Sequence, residues 1–182
     1  MWAGGTSETV WVVGSVEPGA GAGLAYKLVE MTVDGSTKRA KVSSSWSIAN
    51  PCQSSHYFDP GGISGTSNRR VWIVGTCTPK QPKQPEQAFV LHFDGTKVSA
   101  VTDIPNLTGA SLATVYALPG GEVWAAGSAV LHRARDGTWT WMLREKDSST
   151  PGGVWAAGAG DGSGAHDLWV GTLRYFHGAG AR

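Results

Sequence analysis

Val71-Trp72-Ile73-Val74-Gly75 is the stretch on which the reading of this chain turns. It is a short apolar strand carrying a tryptophan, with glycine three residues after the ring. The same phrase returns as Val10-Trp11-Val12-Val13-Gly14 and as Val123-Trp124-Ala125-Ala126-Gly127, and in shortened form as Leu168-Trp169-Val170-Gly171. The tryptophans are 61, 52 and 45 residues apart. An internal period of this size marks repeated supersecondary units.

Working outward, each tryptophan has an aromatic residue upstream: Trp2 for Trp11, Tyr57 for Trp72, Tyr116 for Trp124 and Trp155 for Trp169. Turn residues separate the members of each pair, for instance Pro119-Gly120-Gly121, so each pair reads as a hairpin. Downstream comes a third strand, Phe89–Phe93 before Asp94-Gly95-Thr96 and Val130–Arg133 before Asp136-Gly137-Thr138. In the first unit Tyr26-Lys27-Leu28 precedes Asp34-Gly35-Ser36, and in the fourth Leu173–Phe176 precedes His177-Gly178. Asp-Gly supplies the positive φ of a tight hairpin. Fourth strands are expected at Thr37–Val42, Thr96–Val101 and Thr138–Leu143. No segment holds a helical period over 11 residues.

Four strands per unit, no helix and a period near about 50 predict a β-propeller of about four blades, the last lacking its outer strand. The repeats fall at approximately 1–48, 49–105, 106–150 and 151–182, in a single domain. Structural repeat positions are Trp11 and Gly14, Trp72 and Gly75, Trp124 and Gly127, Trp155 and Gly158, and Trp169 and Gly171. Trp11, Trp72, Trp124 and Trp169 are read as packing between blades, buried at equivalent positions. Trp46, Trp139 and Trp141 lie outside that register and are candidates for surface contact, with one of the Trp139/Trp141 pair facing inward.

At these residues the chain resembles bacterial propellers with repeats of the type V-W-x-x-G … L-H-x-D-G-T-x-W. Glu122-Val123-Trp124-Ala125-Ala126-Gly127 … Leu131-His132 … Asp136-Gly137-Thr138-Trp139 follows that grammar, and so does Val154-Trp155 … Asp167-Leu168-Trp169. It is distantly similar to Asp-box propellers. The resemblance implies a binding scaffold in a secreted or surface protein, and fixes no ligand.

Composition narrows the classes further. Net charge is +1 and charged residues make up 16% of the chain, against about 25% in an average soluble chain. No basic patch for nucleic acid or anionic lipid is implied, no apolar run is long enough for membrane insertion, and no signal peptide is visible. His92 and His132 share a repeat position, with Arg174 in that place in the fourth unit, which reads as structural. Asp161, Ser163 and Asp167 alternate as in a calcium loop but lack a closing bidentate acid; no other cofactor is implied. No nucleophile, base or metal motif marks an enzyme.

Function is therefore expected on the face that carries the long insertions, Ser15–Gly23 and Thr76–Gln87, together with Ser43–Ser54 and Thr102–Gly109. The candidate binding residues are Trp46, Lys80, Gln81, Lys83 and Gln84, the last four in a Pro-rich stretch read as extended polyproline-like backbone. The expected activity is non-enzymatic recognition of protein or glycan. One alternative is a sialidase-like or other glycoside-acting hydrolase; a second is a structural fragment of a larger surface protein. Cys52 and Cys77 bracket the first hairpin of the second unit and are candidates for a disulfide, which would place the protein in an oxidising compartment. The fourth unit has no strand after Gly178, so its Leu173–Phe176 edge is expected to fray or to pair with another copy in a dimer.

Overall fold

A computed structural model describes residues 2–3, 9–16, 25–37, 39–52, 56–144, 154–158, 166–170 and 174–177, with the side chains of 9–15, 25–37, 39–52 and 56–142. The described residues are all-β, without helix. The first sheet comprises β1 (Trp2–Ala3), β2 (Thr9–Val16), β3 (Ala25–Val33) and β4 (Ala40–Ile48). The second holds β5 (His56–Ser67), β6 (Arg70–Pro79), β7 (Gln87–Phe93) and β8 (Val98–Ala100), and the third β9 (Leu112–Ala117), β10 (Val123–Gly127), β11 (Ala129–Arg133) and β12 (Trp139–Arg144). A fourth, three-stranded sheet contains β13 (Val154–Gly158), β14 (His166–Val170) and β15 (Arg174–His177). Strand order follows chain order in every sheet, so each is an antiparallel meander.

The decisive stretch is apolar throughout because its sheet is covered on both faces. Val71 and Ile73 of β6 and Phe89, Leu91 and Phe93 of β7 pack in one core with Trp11 and Leu28 of the first sheet. Trp72, Val74, Ala88 and Val90 point the other way, into a second core with Leu112, Val115, Val123 and Leu131 of the third sheet. Alternate residues of one strand thus serve two cores. Each fully buried aliphatic or aromatic side chain contributes about 1.5–3 kcal/mol to that cohesion.

Register settles which upstream residue faces each tryptophan. Trp2 lies opposite Trp11, Tyr116 opposite Trp124 and Trp155 opposite Trp169. In the second sheet the residue opposite Trp72 is Ser64, and Tyr57 lies opposite Thr78, because β5 is 12 residues long and bulged. Trp11 and Trp72 are buried, but Trp124 is only half-buried. Trp11 is capped by Phe93 and Trp72 by Arg133, each from the following sheet. The register counterpart of Phe93 and Arg133 in the fourth sheet is Phe176, whose side chain lies outside the described residues, as does that of Trp169.

The fourth strands differ from expectation. β4 runs on to Ile48, because Ser45-Trp46-Ser47-Ile48 alternates exposed serines with inward apolar side chains. Trp139 and Trp141 share a face, being two residues apart on β12, and both pack on the second core. Segment 102–109 is not a free loop: Leu107 O accepts from Ala88 N, and Gly109 N donates to Glu86 O at 2.7 Å. Of the three Asp-Gly turns, Gly95 and Gly137 have φ of 99° and 97°. The first turn is wider, Asp34 N donating to Arg39 O, and Gly35 is not left-handed.

The glycine after the tryptophan has a packing cause. A Cβ on Gly75 would strike Asp59 O and the Phe89 ring, and one on Gly127 would strike Ser111 O, whereas around Gly14 nothing lies within 4 Å. Gly75→Ala should therefore cost about 1–3 kcal/mol. Gly14→Ala should be neutral or stabilise by up to about 1 kcal/mol. Urea unfolding midpoints of the two variants check this; equal losses would refute the packing explanation.

Candidate functional site

The predicted binding residues separate in space. Trp46 leaves the surface: it stacks on Trp11 at 5.4 Å and meets Phe93 at 4.5 Å, which makes it part of the core between the first two sheets. Lys80, Gln81, Lys83 and Gln84 occupy the tip of the β6–β7 hairpin, where Thr76–Pro79 still belong to β6. The tip is a turn rather than a polyproline stretch, since Gln84 N donates to Gln81 O, with Pro82 at the position a β-turn favours. Lys80 Nζ lies 5.3 Å over the Tyr57 ring, and that ring is 61% exposed. Pro85 O bonds the buried His56 ring at 3.1 Å. Gln84 Oε1 is buried with no hydrogen-bond partner among the described residues. Below the tip, Cys52 and Cys77 are joined in a disulfide, with Cα atoms 5.5 Å apart.

A second constellation grows from the tryptophan register. His92 lies opposite Trp72 and meets its ring at a tilt, 4.2 Å between centroids; His132 lies opposite Trp124 and stacks at 4.0 Å. The residue in that place in the fourth sheet is Tyr175, opposite Trp169, while Arg174 pairs with Val170. In the first sheet it is Glu30. The shared position thus makes a ring-on-ring contact in the second and third sheets. In the third sheet Glu122 completes it, with Oε1 2.9 Å from His132 Nε2 and accepting from Trp124 Nε1 at 3.3 Å. Burial pushes His92 below the ordinary histidine range, and the Arg133 charge adds to that push against the opposing pull of Asp94.

Between the second and third sheets a cleft of about 280 Å³ opens beside this pair. Trp72, His92, Arg133 and Trp139 form its floor, and Ser99, Thr102 and Asp103 its exposed rim. Arg133 is held in place: its Nη1 donates to Gly121 O at 2.6 Å and its guanidinium lies 5.3 Å over Trp72. The sequence carries one signal of this cleft, the residue after the shared histidine, Phe93 in one repeat and Arg133 in the next.

The three turn aspartates are charge anchors. Asp34 Oδ1 accepts from the Ser36 hydroxyl at 2.6 Å and from Ser36 N and Thr37 N, which lowers its carboxyl to about 2. Asp94, bonded by Thr96 Oγ1 and the amides of Thr96 and Lys97, and Asp136, bonded by Thr138 N, are also lowered. A depressed folded-state pKa contributes stability that is complete above the unfolded value of about 4 and fades as pH falls through the folded value. The thermal midpoint should therefore fall between about pH 4 and pH 2, and the triple variant Asp34→Asn, Asp94→Asn, Asp136→Asn should show a shallower fall. Parallel calorimetry of both proteins across this range checks it; identical pH slopes would refute the assignment.

Among the described residues no three His, Cys, Asp or Glu side chains cluster as a metal site. Asp161 and Ser163 of the predicted calcium loop, and the side chain of Asp167, lie outside the described residues. No family model matches the chain, and no curated protein or solved structure matches it.

Proposed function

We propose that the chain is a non-enzymatic binding scaffold of propeller type, presenting the β6–β7 end of its second sheet to a protein or glycan. The observation that carries this reading is the exposed Tyr57 ring with the Lys80 ammonium above it. Both stand on a hairpin end stiffened by the Cys52–Cys77 bond and by the contact of His56 with Pro85. A rigid aromatic with a polar handle gives large contact area at small entropic cost, which is why such residues dominate recognition surfaces.

The propeller arrangement is supported by how the sheets follow one another. The first strands touch in series, β1 on β5, β5 on β9 and β9 on β13. Gly61 and Gly62 bring the β5 backbone so close to Leu112, Ala113 and Thr114 that a Cβ on either would clash. The amide of Ala117 donates to the buried Ser64 hydroxyl across the same junction. The disulfide supports an oxidising, extracytoplasmic setting.

The test is a binding screen of the intact chain against immobilised glycans and exposed-loop peptides, repeated with Tyr57→Ala and Lys80→Ala. Binding that each substitution weakens at least about tenfold is expected. Release of sialic acid from a sialoside substrate by the purified chain would overturn the non-enzymatic reading. Binding indifferent to Tyr57 and Lys80 would overturn the site.

A further inference from the structure

One register position in this fold is apolar three times and charged once. Met31, Phe93, Arg133 and Phe176 stand opposite Val10, Val71, Val123 and Leu168 in the four sheets. Phe93 is fully buried and covers Trp11 of the preceding sheet. Arg133 covers Trp72 in the same way, but brings a guanidinium where a hydrocarbon ring would suffice. Among the described residues no carboxylate lies within ion-pair distance of it. A half-buried cation costs desolvation that a phenyl ring does not, so packing alone does not account for arginine here.

A second departure opens the space in front of that cation. Between the first and second sheets the corresponding volume is filled by Trp46, which lies opposite Leu28, two residues before Glu30 on β3. The matching residue of the second sheet is Val101, whose amide donates to Val90 O, two residues before His92 on β7. Valine in the place of tryptophan leaves the cleft of about 280 Å³, and Val101 lines it. The second interface does hold a ring contact, Trp139 meeting Trp72 edge-on at 5.7 Å where the first interface has Val98. The place that Trp46 seals in the first interface nevertheless stays open and charged in the second, and both changes converge there.

We propose that this cleft binds a carboxylate-bearing sugar residue, a hexuronic-acid type of unit, with the carboxylate on Arg133 and the ring hydroxyls on the Ser99–Thr102–Asp103 rim. The guanidinium presents a planar fork suited to a carboxylate. Its Trp72 stacking and its bond to Gly121 O fix the orientation in advance. Asp103 in the same lining weighs more against a doubly charged phosphate than against a singly charged carboxylate, and a carboxylate side chain is an effective acceptor for paired hydroxyls. The volume suits a single ring rather than a drug-sized ligand, which needs about 300–1,000 Å³. Ala100 apart, the exposed rim is polar, which suits a polyhydroxylated ligand better than an apolar peptide side chain. This site is separate from the β6–β7 hairpin tip and does not rest on that reading.

The experiment follows the tryptophan indole NMR signals while the intact chain is titrated with sodium glucuronate or galacturonate. Glucose serves as the neutral control and an acidic peptide with a free C-terminus as the protein-type control. The uronates should bind at about 1 mM or tighter, with glucose at least about tenfold weaker. Arg133→Gln should weaken uronate binding at least about tenfold, and Val101→Trp, which rebuilds the seal of the first interface, should abolish it with the thermal midpoint kept or raised. Uronate binding equal to that of glucose, or unchanged in both variants, overturns the proposal. Saturation by the acidic peptide without saturation by either uronate also overturns it and assigns the cleft to a protein ligand. The hairpin tip is read on Tyr57→Ala and this cleft on Arg133→Gln, so each proposal can fail alone.

Discussion

Trp11→Ala should remove about 3–5 kcal/mol of stability, the range for truncating a buried aromatic side chain. Trp11 is fully buried, stacked by Trp46 on one side and covered by Phe93 of the second sheet at 5.5 Å. Its loss would leave a ring-sized void at the junction of two sheets and strip contacts from both neighbouring rings. Trp11→Phe is the informative companion. The Trp11 Nε1 is buried with no partner among the described residues, and an unsatisfied buried donor costs about 1–3 kcal/mol. Phenylalanine keeps much of the stacking and removes that donor, so it should lose less than half of what alanine loses. Trp124→Ala should also fall short of Trp11→Ala, because Trp124 is half-buried and its Nε1 already donates to Glu122. Urea midpoints and slopes for the three variants decide the matter. A Trp11→Ala protein as stable as Trp124→Ala would mean that the junction repacks around the void.

These contrasts show which features a single sequence makes legible. The tryptophan strands were readable because β6 serves two cores at once, so its apolar run survives without alternation. The glycines after them were readable by position, but their cause was not: Gly75 and Gly127 are forced by neighbouring backbone and rings, and Gly14 is not. Trp46 reads as a loop residue because Ser43-Ser44-Ser45 has the composition of a loop. The alternation that carries β4 to Ile48 lies in two residues only, Trp46 and Ile48. Aromatic character pairs Tyr57 with Trp72, yet bulges in β5 bring Ser64 opposite that ring, and no composition rule places a bulge. The cleft escaped for a different reason. It is made by what Val101 lacks, and a void has no signature in a sequence until the register shows which larger residue fills its counterpart.

Breaking the Cys52–Cys77 bond is the second change expected to be large. The cysteines are 25 residues apart, and loop-closure entropy for a loop of that size corresponds to about 3.5 kcal/mol at room temperature. The two ends of the bond differ. Cys77 is 2% exposed on β6 opposite Phe58, while Cys52 is half-buried in the segment before β5. A serine at 77 would bury a hydroxyl in the apolar core of the first two sheets, so Cys77→Ser should cost more than Cys77→Ala. Cys52→Ala combined with Cys77→Ala should thus lower the unfolding free energy by about 3–4 kcal/mol, as should a thiol reductant acting on the native chain. The loss should also be uneven. Amide exchange should rise near Tyr57 and Thr78, at the hairpin end the bond restrains, and change little at Val123–Ala126 in the third sheet. An unfolding midpoint insensitive to reductant, in protein whose thiols label only after reduction, would show that β5 and β6 are held together by their ladder alone. That outcome would leave the exposed Tyr57 and Lys80 without the rigid base on which their role as a presenting surface depends.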